Sequence, residues 1–231
     1  MDQSTQEGRI IAIGDIHGCD IALGTILYHL ELTRNDTFIC LGDAVDRGPG
    51  TKHVIEMLLD LRATCKLVFI KGNHEEMMLD GLNGGHWEST WLQHGGKEAI
   101  DSYGGRYDQI PEEHRIFMAN AVDYYETESD IFVHATAVPG VPLEDLTAQE
   151  LRWDRITGDE EPDPSGRRII CGHTAQKSGR PLVYAGWACL DTSAYRGNYL
   201  TAIDVKTNEI FQAKQSSKYR SGKTLEQYQV K

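Results

Sequence analysis

Apolar residues along this chain come first in short, unbroken runs. Arg9-Ile-Ile-Ala-Ile13, Thr37-Phe-Ile-Cys-Leu41 and Lys66-Leu-Val-Phe-Ile70 are rich in β-branched and aromatic residues, and each leads into a glycine: Gly14, Gly42 and, past Lys71, Gly72. A run of that length stopped by a turn residue reads as a strand buried on both faces. Between the runs the period changes, because Leu23, Ile26, Leu27 and Leu30 share one helical face, as do Val54, Ile55, Leu58 and Leu59. Strand, helix, strand, helix, strand with such connections is a βαβαβ opening, so the three strands are expected to lie parallel. Ligands of such sheets gather beyond the carboxyl ends of the strands. The three loops there carry Asp15 and His17, then Asp43, Asp46 and Arg47, then Asn73, His74 and Glu75.

From Gly81 to Gly105 the texture turns to glycine, tryptophan and histidine. Short helices and loops forming a cap over the sheet edge, about residues 81–125, are the expectation. Trp87 and Trp91, four apart, suit packing on one helical face. Pro111 to Val122 reads as a helix, with Pro111 near its start and Glu112 and Glu113 in its first turn. The second half offers short strands at 130–133, 168–171, 182–184, 188–190, 200–203 and 209–211. Two packed sheets with helices outside would bury them all, an α/β architecture. The loop 158–166 is polar and turn-rich, with Asp159-Glu-Glu161 expected to be solvated, and the polar tail 214–231 is expected to fray.

Composition narrows the function. With 231 residues and 40% hydrophobic content, one domain is expected, its core spanning about 9–212. The 35 acidic against 23 basic residues give a net charge of −12, which argues against a nucleic-acid partner. Five well-separated cysteines without a C-x-x-C pair indicate reduced thiols rather than a disulfide framework or a thiolate zinc site. Cys19 reads as a space-filling thiol beside the first motif. The opening Met1 to Gly8 is polar and acidic, and no apolar run nears the roughly 20 residues of a spanning helix, so a cytoplasmic protein without a membrane partner is expected.

The ligand inventory is two carboxylates, one amide oxygen and three imidazoles, each placed just after a strand. Oxygen and nitrogen donors without thiolate suit manganese, iron or zinc. Six are too many for one open catalytic ion, whereas two cations about 3.5–4 Å apart fit both the count and a known strategy for phosphoryl transfer. His29, His53 and His114 read as surface or structural residues, while His86 and His94 are left open.

Gly14-Asp-Ile-His-Gly18, Gly42-Asp-Ala-Val-Asp-Arg-Gly48, Gly72-Asn-His-Glu75, His134-Ala and Gly172-His173 together resemble the phosphoprotein phosphatase branch of the calcineurin-like metallophosphoesterases. The compact phage and bacterial members are most similar, through Gly72-Asn-His-Glu-Glu-Met-Met-Leu-Asp-Gly81, His86-Trp87, Trp153-Asp-Arg155 and Gly172-His-Thr174. The resemblance implies a four-layer α/β/β/α sandwich with two divalent metals, manganese first. Asp15 and His17 would hold one, Asn73, His134 and His173 the other, and Asp43 both. It further implies in-line attack on phosphorus by a hydroxide shared by the metals, with His74 as general acid oriented by Asp46. Arg47, and Arg155 in preference to the nearby Arg152, would clamp the phosphate. Where eukaryotic relatives carry His-Gly-Gly, this chain reads His134-Ala-Thr136 and has a shorter second half, so their regulatory surfaces do not transfer.

The expected activity is hydrolysis of phosphoserine and phosphothreonine in proteins, with small phosphomonoesters as further substrates. The rival is symmetrical hydrolysis of dinucleoside tetraphosphates. That family usually lacks the second aspartate of Asp43-Ala-Val-Asp46-Arg47 and reads Gly-Asn-His-Asp. A metal-binding scaffold without activity is the third reading, and it would predict a missing ligand or acid.

Overall fold

The computed structural model of the protein describes residues 8–230. The polar opening read above, except Gly8, lies outside the described residues, as does Lys231. The chain begins with β1 (Ile10–Ile13), α1 (Asp20–Leu30), β2 (Thr37–Cys40), α2 (Thr51–Leu61) and β3 (Lys66–Phe69), and β1, β2 and β3 pair in parallel as the hydrophobic pattern requires. Next come α3 (Asn73–Leu82), α4 (Glu88–Trp91), a kinked turn at Leu92–Gly96 in which His94 and Gly95 leave helical geometry, α5 (Lys97–Ser102) and α6 (Glu112–Ala119). The remainder is β4 (Tyr124–Glu126), β5 (Asp130–Val133), α7 (Ala148–Arg152), β6 (Arg168–Cys171), β7 (Leu182–Tyr184), β8 (Trp187–Cys189), β9 (Leu200–Asp204), β10 (Glu209–Ala213) and β11 (Tyr219–Thr224).

Two mixed sheets result, with strand orders β11-β10-β9-β1-β2-β3 and β4-β5-β6-β8-β7. Period-2 alternation explains why their strands look apolar throughout. Ile11, Ile13, Phe38 and Cys40 face helices α1 and α2, whereas Ala12, Ile39 and Leu41 face Phe132 and Ile170 of the other sheet. Ile131, Val133 and Ile169 point away from that middle layer toward Leu143, Leu151 and Ile156. The expected sandwich of two sheets with helices outside is present.

The structure departs from the sequence reading at several points. The helix over 111–122 is shorter, because after Ala119 the chain turns and Val122 bridges Ile70, donating to Phe69 and accepting from Lys71. In the loop 158–166, Asp159 and Glu161 are exposed as expected, but Glu160 accepts from the backbone of Thr157 and Gly158 and from the Tyr184 hydroxyl. A further difference is a correction, because the tail does not fray. Residues 219–224 form β11 on the edge of the first sheet, and Leu225 and Tyr228 are buried in the middle layer. Its polar character is that of an edge strand with one wet face. Burial of two such side chains contributes about 3–5 kcal/mol. Truncation after Ser217 is therefore expected to lower the denaturant midpoint clearly, and a midpoint equal to that of the full chain would show that the tail packs without holding.

Candidate active site

The carboxyl ends of β1, β2, β3, β5, β6 and β8 converge, and the loops leaving them carry every ligand expected from the sequence. Left-handed backbone concentrates there: His17, Asp43, Asp46, Arg47 and His173 have φ of 46, 48, 71, 66 and 59°. Such a conformation costs a non-glycine residue about 1–3 kcal/mol and persists where neighbours enforce it. The enforcing bonds are visible. Ile16 and His17 donate to the Asp43 carbonyl at 3.1 and 2.8 Å, Asp46 donates to Thr51 Oγ1 at 3.0 Å, and His173 donates to Asp15 Oδ1 at 3.0 Å. Glu75 fastens the loop after β2 to the loop after β3, accepting from Asp43 and Gly72 at 2.9 Å and from Ala44 at 2.8 Å. Gly72 must lack a side chain because a Cβ would stand 2.2 Å from Asp43 Oδ1.

Four imidazoles surround Asp43, and three have one nitrogen committed to a carbonyl. His17 Nδ1 donates to Val45 at 2.9 Å, His134 Nδ1 to Leu41 at 2.7 Å and His173 Nε2 to Trp153 at 2.9 Å. Each therefore turns a lone pair inward. His134 Nε2 meets Asp43 Oδ1 at 3.4 Å and His17 Nε2 meets Asp43 Oδ2 at 3.6 Å, while Asn73 Oδ1 lies 3.0 Å from His173 Nδ1 and 3.2 Å from His134 Nε2. An amide oxygen facing two lone pairs repels them unless positive charge lies between. The residues present therefore fit divalent cations, with Asp43, His134, His173 and Asn73 as one set and His17 and Asp43 in the other. Asp15, expected in the second set, stands beside it with its Oδ2 4.0 Å from His17 Nε2. Burial pushes all three of these imidazoles below their ordinary value, His173 to about 4, and the neutral ring is the ligating form.

His74 is the exception. By distance it groups with His17 and Asp43, yet its Nδ1 donates to a carboxylate, Asp46 Oδ2, at 2.6 Å. Burial opposes charge on His74, but Asp43 and Asp46 outweigh it and raise the ring above its ordinary value. Against complete burial, the surrounding imidazoles hold Asp43 far below the carboxylate range. Burial, then Asp191 and Asp43, push Asp15 up instead.

A cavity of about 550 Å³ opens over these groups, with Arg47, Trp153, Arg155, Lys177, Tyr195 and Arg196 in its walls. Arg47 spans it, donating to His17 Nε2 at 2.7 Å and His74 Nε2 at 2.9 Å, so positive charge is already the complement of these lone pairs. Arg155 is exposed and lines this cavity, whereas Arg152 turns away to Glu76 at 3.0 Å and to Asp123. His94 reaches the rim and His86 stays outside beside Asp80. His29 and His53 are exposed, His114 is buried against the Tyr103 hydroxyl at 2.8 Å, and Cys19 is a buried thiol pushed up to about 12 by burial. From the segment 81–125, Thr90 and His94 line this cavity. A larger groove of about 720 Å³ against α2, α6 and β3 contains none of the expected ligands.

Sequence reasoning missed three neighbours. Asp191, after β8, is buried beside Asp15, and burial raises it to about 6. Its position past a strand end was the available signal. Tyr195 lies under Arg47, with the guanidinium carbon 4.7 Å from the ring centre, and Trp91 donates to Asp46. Nothing local marks either contact.

A family model described as calcineurin-like phosphoesterase matches residues 8–199. Serine/threonine-protein phosphatase 1 of Salmonella typhimurium is 33% identical over 89 residues, 38% of this chain and 39% of that protein. The symmetrical bis(5'-nucleosyl)-tetraphosphatase of Citrobacter koseri is 40% identical over 68 residues, 29% of this chain and 23% of that protein. The matches thus span about two fifths or less of these relatives' lengths. The solved structure of a cold-active protein-tyrosine phosphatase from a Shewanella species shares the fold, with a TM-score of 0.59 and 16% identity over 93% of this chain and 80% of that one. Among the described residues, no helix is long and apolar enough to cross a membrane. Strand ends, donor set and family match agree: this chain belongs to the calcineurin-like phosphoesterases.

Proposed function

We propose that the chain is a metal-dependent phosphomonoesterase acting on phosphoserine and phosphothreonine in proteins. The observation that carries this reading is the bond between Asp46 and His74 beside a cluster of inward lone pairs. Asp15, His17, Asp43, Asn73, His134 and His173 would hold two divalent cations, of which manganese suits oxygen and nitrogen donors. Such a pair supplies charge for the phosphate oxygens and a hydroxide nucleophile at neutral pH. Arg47 would turn from the imidazoles to the phosphate, with the Tyr195 ring beside it and Arg155 lining the same cavity. As the bond from phosphorus to the seryl oxygen breaks, His74 Nε2 would give its proton to that oxygen, and Asp46 would steady the ring.

The leaving group separates the two substrate readings. A serine alkoxide is a poor leaving group and needs a proton, whereas a nucleotide phosphate departs from an anhydride without one. An aspartate committed to holding an imidazole is therefore of more use to a monoesterase. The cationic rim of Arg155, Lys177 and Arg196 is the feature that suits a polyphosphate. With manganese supplied after chelator treatment, a phosphoserine peptide is expected to be turned over with higher kcat/KM than a dinucleoside tetraphosphate. A strong preference for the dinucleotide would reverse the ranking, and turnover of neither would leave the scaffold reading. Five free, buried thiols support a reducing compartment, the cytoplasm.

A further inference from the structure

Besides lining the cavity, the segment 81–125 bonds to Asp46 through Trp91 and to Arg47 through Gly95. The Trp91 indole is fully buried in a slot between Gly81 of α3 and Gly96 of the kinked turn. A Cβ on Gly81 would come within 2.7 Å of its Cε3, and one on Gly96 within 2.6 Å of its Cε2. From this slot Nε1 donates to Asp46 Oδ1 at 2.9 Å, while Asp46 Oδ2 accepts from His74 Nδ1 at 2.6 Å. The Gly95 carbonyl, in the same turn, accepts from the Arg47 N–H at 3.2 Å. The kink between α4 and α5, where His94 and Gly95 leave helical geometry, thus sets Trp91 at its start as donor and Gly95 within it as acceptor against the left-handed pair.

We propose that Trp91 is a positioning residue for proton transfer: its N–H fixes the Asp46 carboxylate and, through it, the aim of His74 at the leaving oxygen. The inference rests on His74 being the acid. A carboxylate held at one oxygen can turn about its Cβ–Cγ bond and carry the imidazole with it. Held at both oxygens, it cannot. A tryptophan needed only for bulk would fill the slot equally well with its N–H on any backbone carbonyl. Here the N–H is spent on the one oxygen that His74 leaves free. The contact is charge-assisted and enclosed, the setting in which a hydrogen bond contributes most.

Replacing Trp91 by 3-benzothienylalanine, which keeps the ring shape and deletes the N–H, isolates this bond, and Trp91→Phe is its genetic counterpart. With manganese-loaded protein, kcat for a phosphoserine peptide should fall about tenfold, a part of what general acid catalysis supplies. For 2,4-dinitrophenyl phosphate, whose leaving group needs no proton, it should change less than about twofold. In an Asp46→Asn background the Trp91 substitution should add nothing further, since both act through one bond. Equal losses on the two esters, no loss on either, or additive losses in the double variant would overturn the inference. His74→Asn run alongside separates the causes. If it discriminates the two esters and the Trp91 variants do not, the inference alone fails; if it does not discriminate, the acid assignment fails with it.

Discussion

Replacing Asp43 by asparagine is expected to lower turnover of a phosphoserine peptide at least about a thousandfold, because it removes several kcal/mol of metal-borne charge stabilisation at a step where each 1.4 kcal/mol is tenfold. Asp43 is the residue that both donor sets share, with Oδ1 facing His134 and Oδ2 facing His17. An amide keeps the shape and the oxygen that accepts from the His74 backbone N–H at 3.0 Å, and the loop itself is held by Glu75 through the backbone. The fold should therefore persist, with unchanged far-ultraviolet dichroism and a reduced content of bound manganese. Near-normal turnover of the purified variant would remove Asp43 from the mechanism, and loss of the fold would show its role to be structural.

His74→Asn is expected to have the second largest effect, with a different signature. General acid catalysis is worth about 10²–10⁴-fold, so kcat on the phosphoserine peptide should fall within that range. Manganese content should stay intact, since His74 is assigned no cation. Turnover of 2,4-dinitrophenyl phosphate should fall far less. The two variants thus separate binding of metal from donation of a proton, which distance alone does not do, because His74 Nε2 is only 4.0 Å from Asp43 Oδ2. A His74→Asn protein that loses metal as well would make His74 a ligand and leave the acid unassigned.

The opening of the fold was legible because three buried strands each stop at a glycine, and ligand-type residues follow at once. Parallel pairing and the convergence of loops come from that alone, whereas the resemblance picks Asp15, His17, Asp43 and Asn73 out of those loops as the expected ligands. His134 and His173 stand in shorter motifs, and the resemblance supplied their roles. Other features depend on contacts between distant parts of the chain. The polar stretch 219–224 becomes a strand only because β10 offers an edge, and local composition points the other way. Arg152 and Arg155 are three residues apart, and only the turn after α7 decides that one meets Glu76 while the other faces the cavity. Glu75 was visible as a motif residue, but its three backbone partners were not. Trp91 was read correctly as a packing residue, and its hydrogen bond to Asp46 lies 45 positions away in sequence.

Asp15, His17, Asp43 and Asn73 ride on one sheet, while His134 and His173 ride on the other. What holds the two groups in register is the layer of Ile39, Leu41, Phe132 and Ile170 between the sheets. Hydrocarbon packed to the density of a crystal barely compresses, so this layer works as a gauge block whose thickness sets the span at the rim. The tolerance of the chemistry is machined in the most inert part of the molecule.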